Sequence, residues 1–290
     1  MGQTGFCGES AVCRIASSGA HFGEEPCFTG TRGSGTLFFS GCSSQCFFCQ
    51  NHQISLGHHG RTVDAEQLHA LARQLIRTGV HNLNFVTPDH FWPHIEQLCR
   101  RLRAEGETLP FLFNSSGYQA PDMVPLYAEW MDIFMPDFKF ADPELALACM
   151  RDRHYPEITL EALRRMVAAK GFLEPWDPEG GALARRGVLV RHLVLPGYVE
   201  NSLAVLRLLR AEFGPLLPLS VMSQFRPVDL CIERQQLDRT VSAVEYERVC
   251  NQVVELGFRN VFLQPHSGDP DFLPDFKRDE PFAGNRKRRR

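Results

Sequence analysis

Between residues 36 and 264, short apolar runs that read as buried strands alternate with segments whose apolar residues recur at helical spacing. This alternation restricts the fold more than any other feature, because parallel strands must be joined by crossovers, and repeated βα units place helices outside a parallel sheet. The first strand is predicted at Thr36-Leu37-Phe38-Phe39. A helix follows from Asp64, its N-cap, with Leu68, Leu71, Ala72, Leu75 and Ile76 on one face and Gly79 past its end. Next come a strand at 83–86 and a helix opened by Pro93, with Ile95, Leu98 and Leu102 turned inward. Strands at 111–113 and 133–135 flank a helix that starts near Asp122. Helices over 145–150 and 158–170, a loop at 174–181 and a strand at 188–193 continue the series. A helix over 202–213, a strand at 219–222, a helix opened by the Ser242/Glu245 capping box and a strand at 261–263 complete it. About six or seven such units predict an incomplete (β/α) barrel whose site lies on loops leaving the C-terminal strand ends.

Composition narrows the function classes. The formal net charge is −3, so no global basic field argues for nucleic acid as the main partner. The one basic run, Arg286-Lys287-Arg288-Arg289-Arg290, reads as a solvated, disordered end. The start of the chain lacks a charged segment followed by an apolar core, and no stretch reaches the run of about 18 apolar residues that a membrane helix needs. A cytoplasmic location is therefore expected. In that reducing compartment a tight group among the ten cysteines points to metal binding or catalysis rather than disulfides.

Such a group stands directly after the first strand. Cys42, Cys46 and Cys49 place three thiols in the loop Gly41-Cys42-Ser43-Ser44-Gln45-Cys46-Phe47-Phe48-Cys49. Three thiolates bound to a four-iron cluster leave one iron open to a small chelating molecule, whereas closed iron–sulfur sites use four cysteines. With His52, the same three could instead form a tetrahedral Cys₃His zinc site. Ligand chemistry alone leaves both open. Cys13, Cys99, Cys149, Cys231 and Cys250 are isolated and read as buried small hydrophobes. His90 and His94 stand four apart, a spacing compatible with metal binding but without a third ligand nearby.

The spacing Cys42-x-x-x-Cys46-x-x-Cys49, with aromatic Phe48 before the last cysteine, resembles the signature of the radical S-adenosylmethionine superfamily. The resemblance extends over residues 5–264, to the branch similar to pyruvate formate-lyase activating enzymes. It rests on His21-Phe22-Gly23-Glu24-Glu25-Pro26, Gly30-Thr31-Arg32-Gly33-Ser34-Gly35-Thr36, Asn84-Phe85-Val86-Thr87-Pro88, Asn114-Ser115-Ser116-Gly117-Tyr118, Met135-Pro136-Asp137-Phe138-Lys139 and Val190-Arg191-His192-Leu193-Val194-Leu195-Pro196-Gly197.

The resemblance implies an α/β fold, an incomplete (β/α)6-type barrel with a parallel sheet and outer helices over residues 36–264. Residues 1–35 would be an N-terminal extension packed on the barrel, and 265–290 a C-terminal tail. It also implies a 4Fe–4S cluster on Cys42, Cys46 and Cys49, and S-adenosyl-L-methionine as the second cofactor. The cofactor contacts it implies are Phe48 in the cysteine loop, Asn84 and Thr87 at the second strand, Asn114 and Ser116 at the third, Asp137 and Lys139 at the fourth, Arg191 at the fifth and Gln224 past the sixth. The family's Gly-Gly-Glu is absent around Thr87-Pro88, and Asn114 stands where the activating enzymes carry an acid.

Asp137 and Lys139, two apart on a strand end, share a face and could neutralise a zwitterion or form a solvated pair. Arg191 lies in an apolar strand where a guanidinium needs an anionic partner; the resemblance suggests the cofactor, with His192 on the opposite, packing face. Cleavage of S-adenosylmethionine would give a 5′-deoxyadenosyl radical. Its target would be a partner protein, as in activation of a glycyl radical enzyme, whose peptide loop could enter through the lateral opening of the incomplete barrel. A small molecule or other macromolecule is the alternative, and a zinc or electron-transfer protein without bond cleavage a third. A flavodoxin- or ferredoxin-type protein would donate the electron.

Overall fold

The computed structural model describes residues 3–266 and 273–282; the basic run at 286–290 and its expected disorder lie outside the described residues. In chain order the elements are β1 (Arg14–His21), α1 (Pro26–Thr29), β2 (Ser34–Phe39), α2 (His52–Ser55), β3 (Arg61–Thr62), α3 (Ala65–Arg77), β4 (Leu83–Val86) and α4 (Trp92–Ala104). They continue with β5 (Phe111–Ser115), α5 (Val124–Trp130), β6 (Ile133–Pro136), α6 (Pro143–Met150), α7 (Tyr155–Lys170), β7 (Gly187–Val188) and β8 (Val190–Leu193). The series ends with α8 (Val199–Phe213), β9 (Leu219–Met222), α9 (Asp229–Arg234), α10 (Ala243–Glu255) and β10 (Val261–Leu263).

Helix starts follow the local chemistry. Asp64 and Ser242 each close a reciprocal capping box, with Gln67 and Glu245, over α3 and α10. The Asp142 carboxylate accepts from Glu144 N and Leu145 N ahead of Pro143 in α6. Each strand-like run read from the sequence pairs in parallel: β2-β4-β5-β6-β7 in one sheet and β8-β9-β10 in another. A parallel bridge between Asp137 and Arg191 joins the two. The expected α/β fold, a mostly parallel sheet with outer helices, is therefore present.

Strand alternation divides the interior into layers. Leu37, Phe39, Leu83, Phe85, Phe111, Phe113, Phe134, Val188, Val190, Leu219 and Val221 pack outward against helix residues such as Leu68, Ile95 and Leu203. On the inner face, Leu112, Ile133, Met135 and Leu189 meet Cys27 and Phe28, while Phe38 and Val86 meet Phe276.

Two features depart from expectation. Residues 14–21 are woven into the sheet: β1 runs antiparallel along β2, from Ile15 opposite Phe39 to His21 opposite Ser34, with β3 beyond it. Arg-Ile-Ala-Ser-Ser-Gly-Ala-His has little strand propensity, and the unpaired edge of β2 supplies what the side chains do not. The lateral opening is also partly covered. Residues 273–282 fold over the inner face, placing Phe276 5.3 Å and Phe282 5.5 Å, ring to ring, from Phe38. Gln53, next to the cysteine loop, anchors this segment by accepting Phe276 N at 2.6 Å.

Behind the site, His192 is buried, its Nδ1 2.7 Å from Phe138 O and its Nε2 2.9 Å from Ser202 Oγ. A neutral ring donating from Nδ1 and accepting at Nε2 satisfies both. Burial pushes its pKa down to about 4, below an unfolded value of about 6.5. A depressed imidazole gives stability that is present above pH 6.5 and lost as the pH falls toward 4, about 2 kcal/mol between pH 7 and pH 5. Urea unfolding at those two pH values should show that loss, and His192→Asn should flatten it; an equal slope in the variant would contradict this assignment.

Candidate active site at the strand ends

The loop leaving β2 turns at Gly41, whose φ is 79°, and a Cβ there would meet Glu9 Cγ at 2.6 Å and Cys7 O at 3.0 Å. Glycine is required because the N-terminal segment passes against the loop at this point. The loop then carries Cys42, Cys46 and Cys49, with Cys42 and Cys46 buried and Cys49 partly so. Burial pushes all three thiols up, Cys42 to about 12 with help from the Asp89 and Cys49 charges. The Lys139 ammonium pulls each of the three down.

These residues suit a cluster. Ser44 Oγ, Asn51 Oδ1 and His52 Nδ1 are buried around the loop with no hydrogen-bond partner, a polar setting for a bound group. Among the described residues no group of His, Cys, Asp and Glu side chains closes around a point that one metal ion could occupy. A cubane binds each thiolate to a different iron and so takes ligands that stand farther apart. His90 and His94 form no metal pair either: their Nε2 atoms lie 2.7 Å from Ser40 O and 2.8 Å from Ala11 O.

The ends of β4, β5 and β6 gather beside the cysteines. Thr87 takes a left-handed φ of 50°, an outlier for a β-branched residue, and is held there as its N–H donates to Asn114 O at 2.8 Å. The chain thus keeps a glycine-like turn where the family's glycines are missing. Gly117, φ 79°, lets the β5 loop press on the end of β6; a Cβ there would come 2.0 Å from Asp137 O. The Tyr155 hydroxyl accepts Lys139 N–H at 2.9 Å and lies 3.0 Å from Ser116 O and 3.1 Å from Asp137 O, tying both strand ends together.

Asp137 and Lys139 form a hydrogen-bonded ion pair, their side chains 26% and 13% exposed, so the solvated-pair alternative is replaced by a mostly buried one. Burial pushes the ammonium down, but Asp137, Tyr155 and Cys46 together overcome it and hold Lys139 charged. Gln224 accepts from Gln264 Nε2 at 3.0 Å. Phe48 is buried against Phe140 and Phe225, forming the wall behind the cysteines. A cleft of about 480 Å³ opens beside the loop, lined by Cys7, Glu9, Ser43, Asp89, Tyr118 and Gln119. Ser43 Oγ donates to Asp89 Oδ2 at 3.0 Å on its wall.

Arg191 finds anions within the chain: its Nε donates to Glu25 Oε1 at 2.9 Å, and its Nη2 to Glu25 Oε2 and Glu24 Oε2. Asn84 points into the same cluster, its Nδ2 2.8 Å from Glu24 Oε1. Sequence reasoning missed Glu24 and Glu25 as interior residues. The signal was their adjacency just before Pro26-Cys27-Phe28, together with a strand arginine in want of a partner.

The profile of the Radical SAM superfamily matches residues 36–209. An uncharacterized protein of Methanocaldococcus jannaschii is 25% identical over 251 residues, covering 83% of this chain and 68% of that protein. Among solved structures, methylornithine synthase superposes with a TM-score of 0.51 at 13% identity, over 80% of this chain and 73% of that one. HydG, a maturase of the [FeFe]-hydrogenase, gives 0.53 at 15% identity over 79% and 51%. At these identities the likeness to solved structures is one of fold.

Proposed function

The chain belongs to the Radical SAM superfamily, whose members bind a 4Fe–4S cluster and S-adenosylmethionine, and we propose that Cys42, Cys46 and Cys49 are the cluster ligands in this radical enzyme. The observation that carries this reading is that Cys42 and Cys46, both buried, and the partly buried Cys49 share one loop with the mostly buried Asp137–Lys139 pair beside it at the C-terminal ends of parallel strands. When bound, the two cofactors would supply the chemistry, a one-electron reductive cleavage of S-adenosylmethionine.

The chain's own residues bind and orient. Lys139 offers an ammonium to a carboxylate and Asp137 a carboxylate to an amine, both held by the Tyr155 hydroxyl. The turn at Thr87 and the short side chains of Asn114 and Ser116 line the adjoining strand ends, with Gln224 across the barrel. Phe48 and Phe225 keep water from the cysteine loop, and residues 273–282 do so on the β2–β4 side. Asn84 and Arg191 belong below this layer.

The radical's target is read as a glycine Cα of a partner protein, as in activation of a glycyl radical enzyme, reached through the cleft beside Ser43 and Asp89. A cytoplasmic setting and a flavodoxin- or ferredoxin-type donor go with this reading; among the described residues no helix is long and apolar enough to cross a membrane. The segment over Phe38 and Val86 favours a second reading, a small molecule, because it narrows the side entrance. Electron paramagnetic resonance on glycyl radical enzymes from the same organism, incubated with the reduced protein and S-adenosylmethionine, separates the two. A glycyl radical doublet is expected; its absence with every such enzyme would select the small molecule.

A further inference from the structure

The barrel interior holds a polar cluster that neither the cysteine loop nor the Asp137–Lys139 pair uses. Glu24 and Glu25 enter it from the turn between β1 and α1, their side chains each 7% exposed, and share the Arg191 guanidinium. Asn84, fully buried on the inner face of β4, donates Nδ2 to Glu24 Oε1 at 2.8 Å. Its other atom, Oδ1, is buried in the same place with no hydrogen-bond partner.

The donor and acceptor inventory is lopsided. Every carboxylate and amide oxygen has two acceptor positions. Arg191 and Asn84 fill at least one on each carboxylate oxygen, and Asn84 Oδ1 has no hydrogen-bond partner. Two carboxylates also face one guanidinium, with His21 near enough to help hold Glu24 ionised. A group that completes this cluster must donate hydrogen bonds, and positive charge suits it better than a neutral hydroxyl. The strand bearing Arg191 is bridged to Asp137, and Asn84 lies three residues before Thr87, so the cluster lies beneath the strand-end site rather than on an outer surface.

We propose that Glu24 and Asn84 form a recognition subsite for a protonated amine of the substrate, an alkylammonium whose N–H groups face Asn84 Oδ1 and the Glu24 carboxylate. This rests on the reading above that substrate enters the barrel. The amine can belong to a lysine side chain of a polypeptide or to a small molecule, and the shared chemistry is the ammonium.

Calorimetry on the anaerobically reconstituted protein tests it, with butylammonium, butanol and the capped tripeptide acetyl-Gly-Lys-Gly-amide as probes. Saturable binding of butylammonium but not butanol is expected, weakened at least tenfold in Glu24→Gln and tightened in Asn84→Asp. A gain in Asn84→Asp cannot come from misfolding. Tighter binding of the tripeptide than of butylammonium assigns the subsite to a polypeptide, and the reverse to a small molecule. Absence of saturable binding, equal affinity in wild type and Glu24→Gln, or competition by S-adenosylmethionine overturns the proposal. Measuring 5′-deoxyadenosine on the same samples keeps the two readings apart. Product without amine binding removes the subsite alone, and amine binding without product removes the radical function alone.

Discussion

Cys46→Ala is expected to give a folded chain that retains no four-iron cluster and forms no 5′-deoxyadenosine above background. Cys46 is buried, beside the aromatic layer of Phe47, Phe48 and Phe140, and feels the charges of Cys42, Cys49 and Lys139 at once. A cubane held by three thiolates has no spare protein ligand to replace one that is lost. The nearest substitutes are Cys149, whose backbone carbonyl already accepts Phe47 N at 3.2 Å, and His52. Neither stands in the Cys-x-x-x-Cys-x-x-Cys spacing of the loop. Truncating a small buried thiol costs little packing, so the helical circular dichroism should survive while iron, sulfide and product fall together. Wild-type iron content with full product formation in this variant would remove Cys46 from the ligand set.

The second large effect is expected at Lys139. Removing one partner of a buried ion pair costs about 3–5 kcal/mol, and because Asp137 is 26% exposed the lower end, about 3 kcal/mol, is expected for Lys139→Ala in urea unfolding. Iron content should stay near wild type, because the cysteines bind it. Equilibrium binding of S-adenosylmethionine should weaken by roughly tenfold or more, the equivalent of about 1.4 kcal/mol. The double variant Asp137→Asn, Lys139→Met separates structure from binding. It removes the lone buried charge and should recover most of the stability, since apolar or neutral replacements of buried pairs are often tolerated. S-adenosylmethionine binding should remain weak. Recovery of both would reduce the pair to a structural role.

Much of this was legible in the sequence. The parallel strands announce themselves because strands covered on both faces are nearly continuous apolar runs, as in Phe111-Leu112-Phe113. Asp137 and Lys139 were placed on one face by the two-residue period alone. What stayed hidden depended on contacts across the chain. β1 is a strand only because β2 offers it an edge. The left-handed turn at Thr87 breaks the local preference of a β-branched residue and is imposed by the bond to Asn114. Arg191 declared its need for an anion, but nothing local names Glu24 and Glu25, more than 160 residues away, as the partners. The closing of residues 273–282 over Phe38 likewise joins distant aromatics with no shared periodicity.

The central claim is that this chain breaks S-adenosylmethionine reductively at the cysteine loop. The most direct measurement is anaerobic reconstitution with iron and sulfide, followed by dithionite and S-adenosylmethionine, with chromatography of the products. Equal amounts of methionine and 5′-deoxyadenosine, dependent on dithionite and absent in Cys46→Ala, are predicted. A fully loaded four-iron cluster that yields no 5′-deoxyadenosine above the variant's background would contradict it.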